Sequence, residues 1–374
     1  MTAATGAPDD ARRCVALPDP FPMRCGVSLP GARVAYETWG RLNGARDNAV
    51  LLFTGLSPSA HACASPEDAA PGWWEDIVGP GRAIDTHRHF VICVNSLGSC
   101  FGSTGPASQK SGTGQRWGLD FPELAIEDIA RAGRETLAAL GLERLAAVIG
   151  PSLGAMSALA FVAQFPGIAR RLVVVSGTAA ASPVAIALRS VQREAILRDP
   201  EWLGGRYLPD QPPRTGMRLA RKIGTITYRS ALEWNARFGR ARLAAGPAPA
   251  RANAFAPEFE IEAYLEAQAE RFVRAFDPNC YLYLSRAMDR FQLADHAGAD
   301  GLSAIFSRAD LERALVIGVE TDGLFTIDEQ ARLAAALERA GVATTFARLH
   351  SPQGHDAFLV DTDAFDPVLR RFFS

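Results

Sequence analysis

Leu145-Ala146-Ala147-Val148-Ile149-Gly150-Pro151-Ser152-Leu153-Gly154 passes from an apolar run into a G-x-S-x-G pattern, and Ala155 to Phe165 continues as a helix-compatible run. A strand, a tight turn and a helix in that order make a nucleophile elbow. The turn lifts the serine oxygen above the sheet edge, and the glycines leave room for the close backbone approach. In a loop the same pattern would carry little meaning. Here Ser152 stands where a strand gives way to a helix.

Working outward, other short apolar runs share the character of Leu145 to Ile149. They are Ala49 to Phe53, Phe90 to Val94, Leu172 to Val175, Ala314 to Val319 and Thr344 to Leu349. Most are apolar throughout rather than alternating, as in parallel strands covered on both faces. Between them, Glu123 to Leu140 and Ile327 to Ala340 read as amphipathic helices. Pro122 opens the first of these and Gly141 closes it. The sum is a doubly wound, mostly parallel α/β sheet. From residue 179 to 312 no buried-strand run appears, and the spacing of apolar residues is helical throughout. That interval is too long for a plain crossover, so it is expected to be a helical cap inserted into a core of residues 17–178 and 313–374. Residues 1–16 are expected to be disordered, and Arg240 to Pro257, rich in Ala, Pro and Arg, to form a mobile loop within the cap.

A serine nucleophile needs a base, and the base needs an orienting acid. In an α/β-hydrolase arrangement these follow in the order serine, acid after a late strand, histidine near the C-terminus. Asp322 follows the run ending at Val319, and His355 follows the last apolar run, beside Gly354. Each signal alone is modest. An Asp after a strand is commonly a turn or cap residue, and a single His is more often structural. Together, in the required order, they predict a Ser152–His355–Asp322 triad. His61, His87, His89, His296 and His350 lack that placement, His350 being the nearest competitor. The oxyanion hole needs two backbone N–H donors. Leu153, after the nucleophile, is one candidate, and Leu56, in the loop after Phe53, is the other.

Composition excludes several classes. The chain has 374 residues, 48% of them hydrophobic, enough for a large core. Lys and Arg number 39 against 41 Asp and Glu, a net charge of −2. That balance argues against a nucleic-acid footprint or a polybasic membrane patch. No uninterrupted apolar run reaches the roughly 18 residues of a transmembrane helix. Met1 to Arg13 has no apolar signal core, so a cytoplasmic location is expected. The six cysteines show no C-x-x-C spacing, so reduced thiols are expected rather than disulfides or a zinc site. The glycine-rich stretch Gly98 to Gly105 has no lysine and is no phosphate cradle. No metal and no tightly bound cofactor are called for.

Longer segments carry a family resemblance. Arg33–Gly40, Asn95–Ala107, Phe121–Asp128, Gly216–Arg229, Phe276–Leu284 and Gly354–Leu359 resemble segments of the homoserine/serine O-acyltransferases of the α/β-hydrolase superfamily. Thr54–Ala62 and Gly72–Gly81 look more like the serine O-succinyltransferase and serine O-acetyltransferase branch. The resemblance runs from about residue 17 to the C-terminus. It implies ping-pong acyl transfer from an acyl-CoA to the hydroxyl of L-serine or L-homoserine, serving sulfur amino-acid biosynthesis, in a homodimer joined through the cap. It also implies that Arg221 and Tyr228 line the amino-acid site and that Asp356 holds the substrate ammonium. The chemistry agrees, since a guanidinium suits a carboxylate and a carboxylate suits an ammonium. The residues alone leave Arg221 readable as a solvated helix-face arginine. They leave open serine or homoserine, and acetyl or succinyl; Arg189, Arg193 and Arg286 are candidate partners for a succinyl carboxylate. They also leave open an esterase or thioesterase, or a non-catalytic scaffold. Two departures stand out. Pro151 precedes the serine and Ala155 occupies a position where the helix packs closely, which puts specificity and rate in question.

Overall fold

The computed structural model describes residues 11–244, 255–298 and 301–374. Its main sheet has eight strands: β1 (Arg13–Ala16), β2 (Arg33–Trp39), β3 (Ala49–Phe53), β4 (Phe90–Val94), β5 (Ala147–Pro151), β6 (Arg171–Val175), β7 (Arg313–Val319) and β8 (Ala343–Leu349), in spatial order β1-β2-β4-β3-β5-β6-β7-β8. From β4 onward all neighbours are parallel, and β1 and β2 add antiparallel pairing at one edge. The apolar runs read from the sequence are the inner strands β3 to β7 and the edge strand β8, shifted by at most two residues.

Along each inner strand the side chains alternate between two cores. Leu51, Phe53, Val148, Val174 and Val316 join one, and Val50, Leu52, Ile149, Val175 and Ile317 join the other. Helices α1 (Ile126–Ala139), α2 (Leu153–Gln164), α3 (Pro183–Leu197), α4 (Arg214–Tyr228), α5 (Ala231–Arg237), α6 (Glu260–Ala275), α7 (Pro278–Arg290), α8 (Gly301–Arg308), α9 (Ile327–Arg339), α10 (Ala357–Val360) and α11 (Thr362–Phe373) complete the fold. The first face is covered by α1, α2, α8 and α9, and the second by α10, α11 and the Trp74–Val78 segment. Burial on both faces is why the inner strands are apolar throughout.

α1 begins three residues later than its apolar pattern suggests. The Asp128 carboxylate accepts from the amides of Ala125 (2.9 Å) and Arg24 (2.7 Å), which sets the helix start. Gly141, at φ 67°, follows its end. Among the described residues six α-helices, α3 to α8, lie between β6 and β7. The expectation of a disordered 1–16 fails at its end: Arg13–Ala16 pair antiparallel with Arg33–Tyr36 as β1. Only the Cys14 to Ala16 run betrays it, because an edge strand of four residues needs little apolar content. Residues 1–10, and 245–254 of the anticipated mobile loop, lie outside the described residues; the ends of that loop meet in a bridge between Arg242 and Phe259. All six cysteines are free, Cys14 and Cys25 exposed, Cys63, Cys93 and Cys280 buried, and Cys100 half-buried. Among the described residues no helix is long and apolar enough to cross a membrane.

Candidate active site

Ser152 sits between β5 and α2 at φ 56° and ψ −117°, left-handed backbone that a side chain rarely adopts. The turn is held by what surrounds it. The Ser152 amide donates to the Val175 carbonyl at 3.0 Å. A Cβ on Gly150 would lie 2.2 Å from the Gly154 oxygen, and one on Gly154 would lie 2.4 Å from the Phe53 oxygen. Both glycines of the pattern are therefore required by backbone contact.

The two departures from the family pattern are absorbed. Pro151 ends β5 in register with Val175, where an extended Gly150 and a fixed φ suit the strand. The Ala155 methyl fills the space beside Gly177, where a second Cβ would come within 2.4 Å of it. The glycine at 177 makes room for the alanine.

The structure brings Ser152, His355 and Asp322 together. His355 Nε2 lies 2.9 Å from Ser152 Oγ, and His355 Nδ1 lies 2.8 Å from Asp322 Oδ2. The other Asp322 oxygen accepts from the amides of Leu324 and Phe325, each at 2.9 Å. All three residues are buried, with Ser152 the most accessible at 8%. Burial alone would lower the imidazole, but the Asp322 charge and hydrogen bond outweigh it and hold His355 above its ordinary value. Phe325 and Phe358 meet the ring edge-on at 5.0 and 5.8 Å, and Tyr228 lies 5.9 Å away. His350 instead projects into solvent and pairs with Glu320.

The acid and base loops are tied to each other and to the inserted helices. Thr321 Oγ1 donates to the Ser351 carbonyl at 2.6 Å and accepts from the Gly354 amide at 3.1 Å. Gly354 has φ 70°, and a Cβ there would lie 2.9 Å from backbone atoms of Tyr228, Arg229 and Ser230. The histidine loop thus passes directly under the α4–α5 junction.

Of the predicted substrate residues, Arg221 and Tyr228 lie on α4 above that loop, and Asp356 follows His355 in the loop itself. The Arg221 guanidinium lies 4.4 Å from the centre of the Phe272 ring and 5.9 Å from that of Tyr228. Its buried Nε has no hydrogen-bond partner among the described residues. Burial pushes the Asp356 carboxyl up, while Arg229, His355 and Arg221 pull it back. Arg229, given no role from sequence, lies 3.4 Å from Asp356 Oδ2 and donates to Gln353 Oε1 at 2.6 Å. Its position next to Tyr228 in the Gly216–Arg229 segment was the available signal.

The three other arginines separate. Arg189 and Arg193, both buried and both on α3, converge at 2.5 and 2.6 Å on the Asp289 carboxylate, which is itself shielded from solvent. Two buried cations share one carboxylate. Arg189 Nη2 is unpartnered among the described residues, and its charge reaches His355. Arg286 lines a cavity of about 740 Å³ with Phe121, Trp202 and Tyr283, and Arg193 reaches the same cavity; Ser152 is not among its lining residues. Leu153 opens α2, and the Leu56 loop lies against the elbow, where a Cβ on Gly55 would be 3.8 Å from the Pro151 oxygen. Among the described residues no group of three His, Cys, Asp or Glu side chains could hold a metal ion.

With this geometry in view, the chain can be set beside known proteins. Residues 48–362 match the family model described as the α/β hydrolase fold. Serine O-succinyltransferase of Stenotrophomonas maltophilia (strain K279a) is 57% identical over 357 residues, 96% of each chain. Among solved structures, homoserine O-acetyltransferase from Bacillus anthracis superposes with a TM-score of 0.86 at 26% identity, covering 97% of each chain. Esterase E22 superposes with a TM-score of 0.86 at 28% identity, covering 97% of this chain and 99% of its own.

Proposed function

Since the chain belongs to the α/β-hydrolase-fold family, in the branch that holds the serine O-succinyltransferases, we propose that it moves a succinyl group from succinyl-CoA to the hydroxyl of L-serine through an acyl-Ser152 intermediate. His355 Nε2 takes the Ser152 proton as Oγ attacks the thioester carbonyl. The amides of Leu153 and Leu56 stabilise the oxyanion. The C–S bond breaks and the CoA sulfur leaves with the proton from His355. The serine hydroxyl then gives its proton to His355 and attacks the acyl-Ser152 ester, and the Ser152 oxygen recovers the proton as it departs. Asp322 keeps Nδ1 protonated and steadies the imidazolium.

The observation that carries the choice of an amino-acid acceptor is Arg221. It is a cation with a buried, unpartnered Nε, stacked on aromatic rings one of which faces His355. A substrate carboxylate supplies what it lacks, while Asp356, shared with Arg229, takes the ammonium. For the donor, Arg189 is the cation for the succinyl carboxylate, because Asp289 neutralises only one of the two arginines on it. L-homoserine differs from L-serine by one methylene, a discrimination worth about 1–3 kcal/mol. The product is an activated serine for sulfur amino-acid synthesis, and the reaction is assigned to the cytoplasm. A homodimer through the cap fits the exposed apolar residues Val184 and Val191 on α3 and Leu219 and Ile226 on α4.

The likeness to esterase E22 favours one competing reading, hydrolysis. Free-CoA release with acetyl-CoA or succinyl-CoA, each with L-serine, L-homoserine or no acceptor, separates them. A Ser152-dependent burst followed by slow turnover until L-serine is added is the expected result. Rapid turnover without any acceptor would establish a hydrolase instead.

A further inference from the structure

One histidine outside the triad is bound in a way the reaction so far leaves unused. His61 lies in the segment that follows β3 and begins with Thr54-Gly55-Leu56. Its Nδ1 is 2.8 Å from Glu37 Oε2, on β2, and its Nε2 is 2.8 Å from the Ala70 carbonyl oxygen. Asp68 Oδ2 lies 3.7 Å from Nδ1. An ionised carboxylate and a carbonyl oxygen only accept hydrogen bonds. With Glu37 ionised, both ring nitrogens would donate, which an imidazole does only as its cation. The Glu37 side chain is 4% exposed and that of His61 14%, so this pair is largely shielded from water.

Backbone bonds hold the same loop beside the ring. The amides of Trp73 and Trp74 donate to the carbonyls of His61 and Ala62 at 3.3 and 2.8 Å. Trp73 Nε1 donates to the Ser59 carbonyl at 3.1 Å, and Asn95 Nδ2 to that of Pro58 at 3.3 Å. The stretch so held, Pro58 to Ala62, leads directly back to Leu56. We propose that His61, as a doubly donating imidazolium, is a positioning residue: it fastens the Leu56 loop to β2 and the Ala70 turn, and so sets the oxyanion-stabilising geometry without touching a reacting atom. This rests on the reading of Leu56 as an oxyanion donor.

The groups facing His61 are consistent with a charged ring. Burial alone would lower it, but the Ala70 carbonyl bond and the carboxylates of Glu37 and Asp68 outweigh burial and hold it above its ordinary value. Cys63 and Cys93, which share the field of Glu37, are kept protonated by burial. When His61 loses its proton, one ring nitrogen presents a lone pair to an acceptor and that tie opens. His355 must be neutral to act as base, so it governs the acidic limb of activity. His61 must be charged, so it governs the alkaline limb.

The test compares the wild type with His61→Gln by pH profiles of kcat and KM, using succinyl-CoA with L-serine and, separately, a p-nitrophenyl ester that reports acylation of Ser152 alone. His61→Gln is expected to lower kcat about tenfold to a hundredfold, the scale of small misplacements in an active site, with KM little changed and the alkaline limb gone. A variant with wild-type kcat and an unchanged alkaline limb overturns the proposal. If the variant does not fold, ¹⁵N shifts of the wild-type ring decide: both nitrogens protonated at neutral pH is expected, and a neutral ring overturns it. A wild type that cleaves the ester but transfers nothing to L-serine defeats the acyl-transfer reading, and the ester profile still decides the role of His61.

Discussion

Replacing Asp322 by asparagine should cost about 10⁴ in kcat, the effect of presenting a triad histidine in the wrong tautomer. The structure dictates why. Asp322 Oδ1 accepts from two backbone amides, those of Leu324 and Phe325. An asparagine must keep its oxygen there, because its NH₂ group would otherwise face two donors. The amide nitrogen then lies at the Oδ2 position and donates to His355 Nδ1. That bond fixes the tautomer with hydrogen on Nε2, which cannot take the Ser152 proton. The loss corresponds to about 5 kcal/mol of transition-state stabilisation. A second signature follows. Asp322 is what lifts His355 above its ordinary value against burial. Without that charge, burial dominates, and the acidic limb of the residual activity moves to lower pH. Stopped-flow release of CoA from succinyl-CoA, with and without L-serine, would give both quantities. A variant within tenfold of wild type, or one whose acidic limb stays in place, would refute the assignment of Asp322 as orienting acid.

Arg189→Met should raise KM for succinyl-CoA about ten- to a hundredfold, the worth of a charge-assisted bond, and leave acetyl-CoA unaffected. Because Arg193 and Asp289 remain as a balanced pair, the melting temperature should hold, as a thermal scan would show. Gly154→Ala puts a methyl 2.4 Å from the Phe53 oxygen, so it should destabilise the fold by at least about 1–3 kcal/mol and abolish the Ser152-dependent burst; a soluble, fully active variant would contradict the elbow geometry. Asp128 is pushed up to about 6, burial outweighing its amide bonds. The folded state therefore holds a proton that the unfolded chain has released, and wild-type stability should fall as pH rises from the ordinary carboxylate value through that point, then level off. Asp128→Asn should lack that fall; having lost one amide acceptor it should cost about 1–2 kcal/mol in urea unfolding at acid pH, and the deficit should shrink as pH rises past the point where the wild type ionises.

The elbow was legible because its information is local. Gly150, Ser152 and Gly154 lie within one turn, and the apolar runs around them reflect burial that each strand needs wherever its neighbours come from. The order of Ser152, Asp322 and His355 could also be read along the chain, since each follows a recognisable strand. β1 escaped notice because an edge strand buries little. The pairing of Arg189 and Arg193 on Asp289 escaped for another reason. α3 and α7 are separated by about a hundred residues, and nothing in either helix alone says that two charges will share one partner in a dry interior. His61 was set aside for lacking a place beside a catalytic strand, and its partners come from β2 and from a turn without regular structure.

By itself the sequence determined the period of each element, the strand–turn–helix that carries Ser152, and the succession of nucleophile, acid and base. These follow from side-chain hydrophobicity and backbone freedom, which act over a few residues. Only the tertiary structure decided the pairings. Whether the Arg221 Nε has a partner, whether Asp289 serves one cation or two, and which groups face the two nitrogens of His61 depend on which distant groups meet away from water, where an unmatched charge or donor is costly.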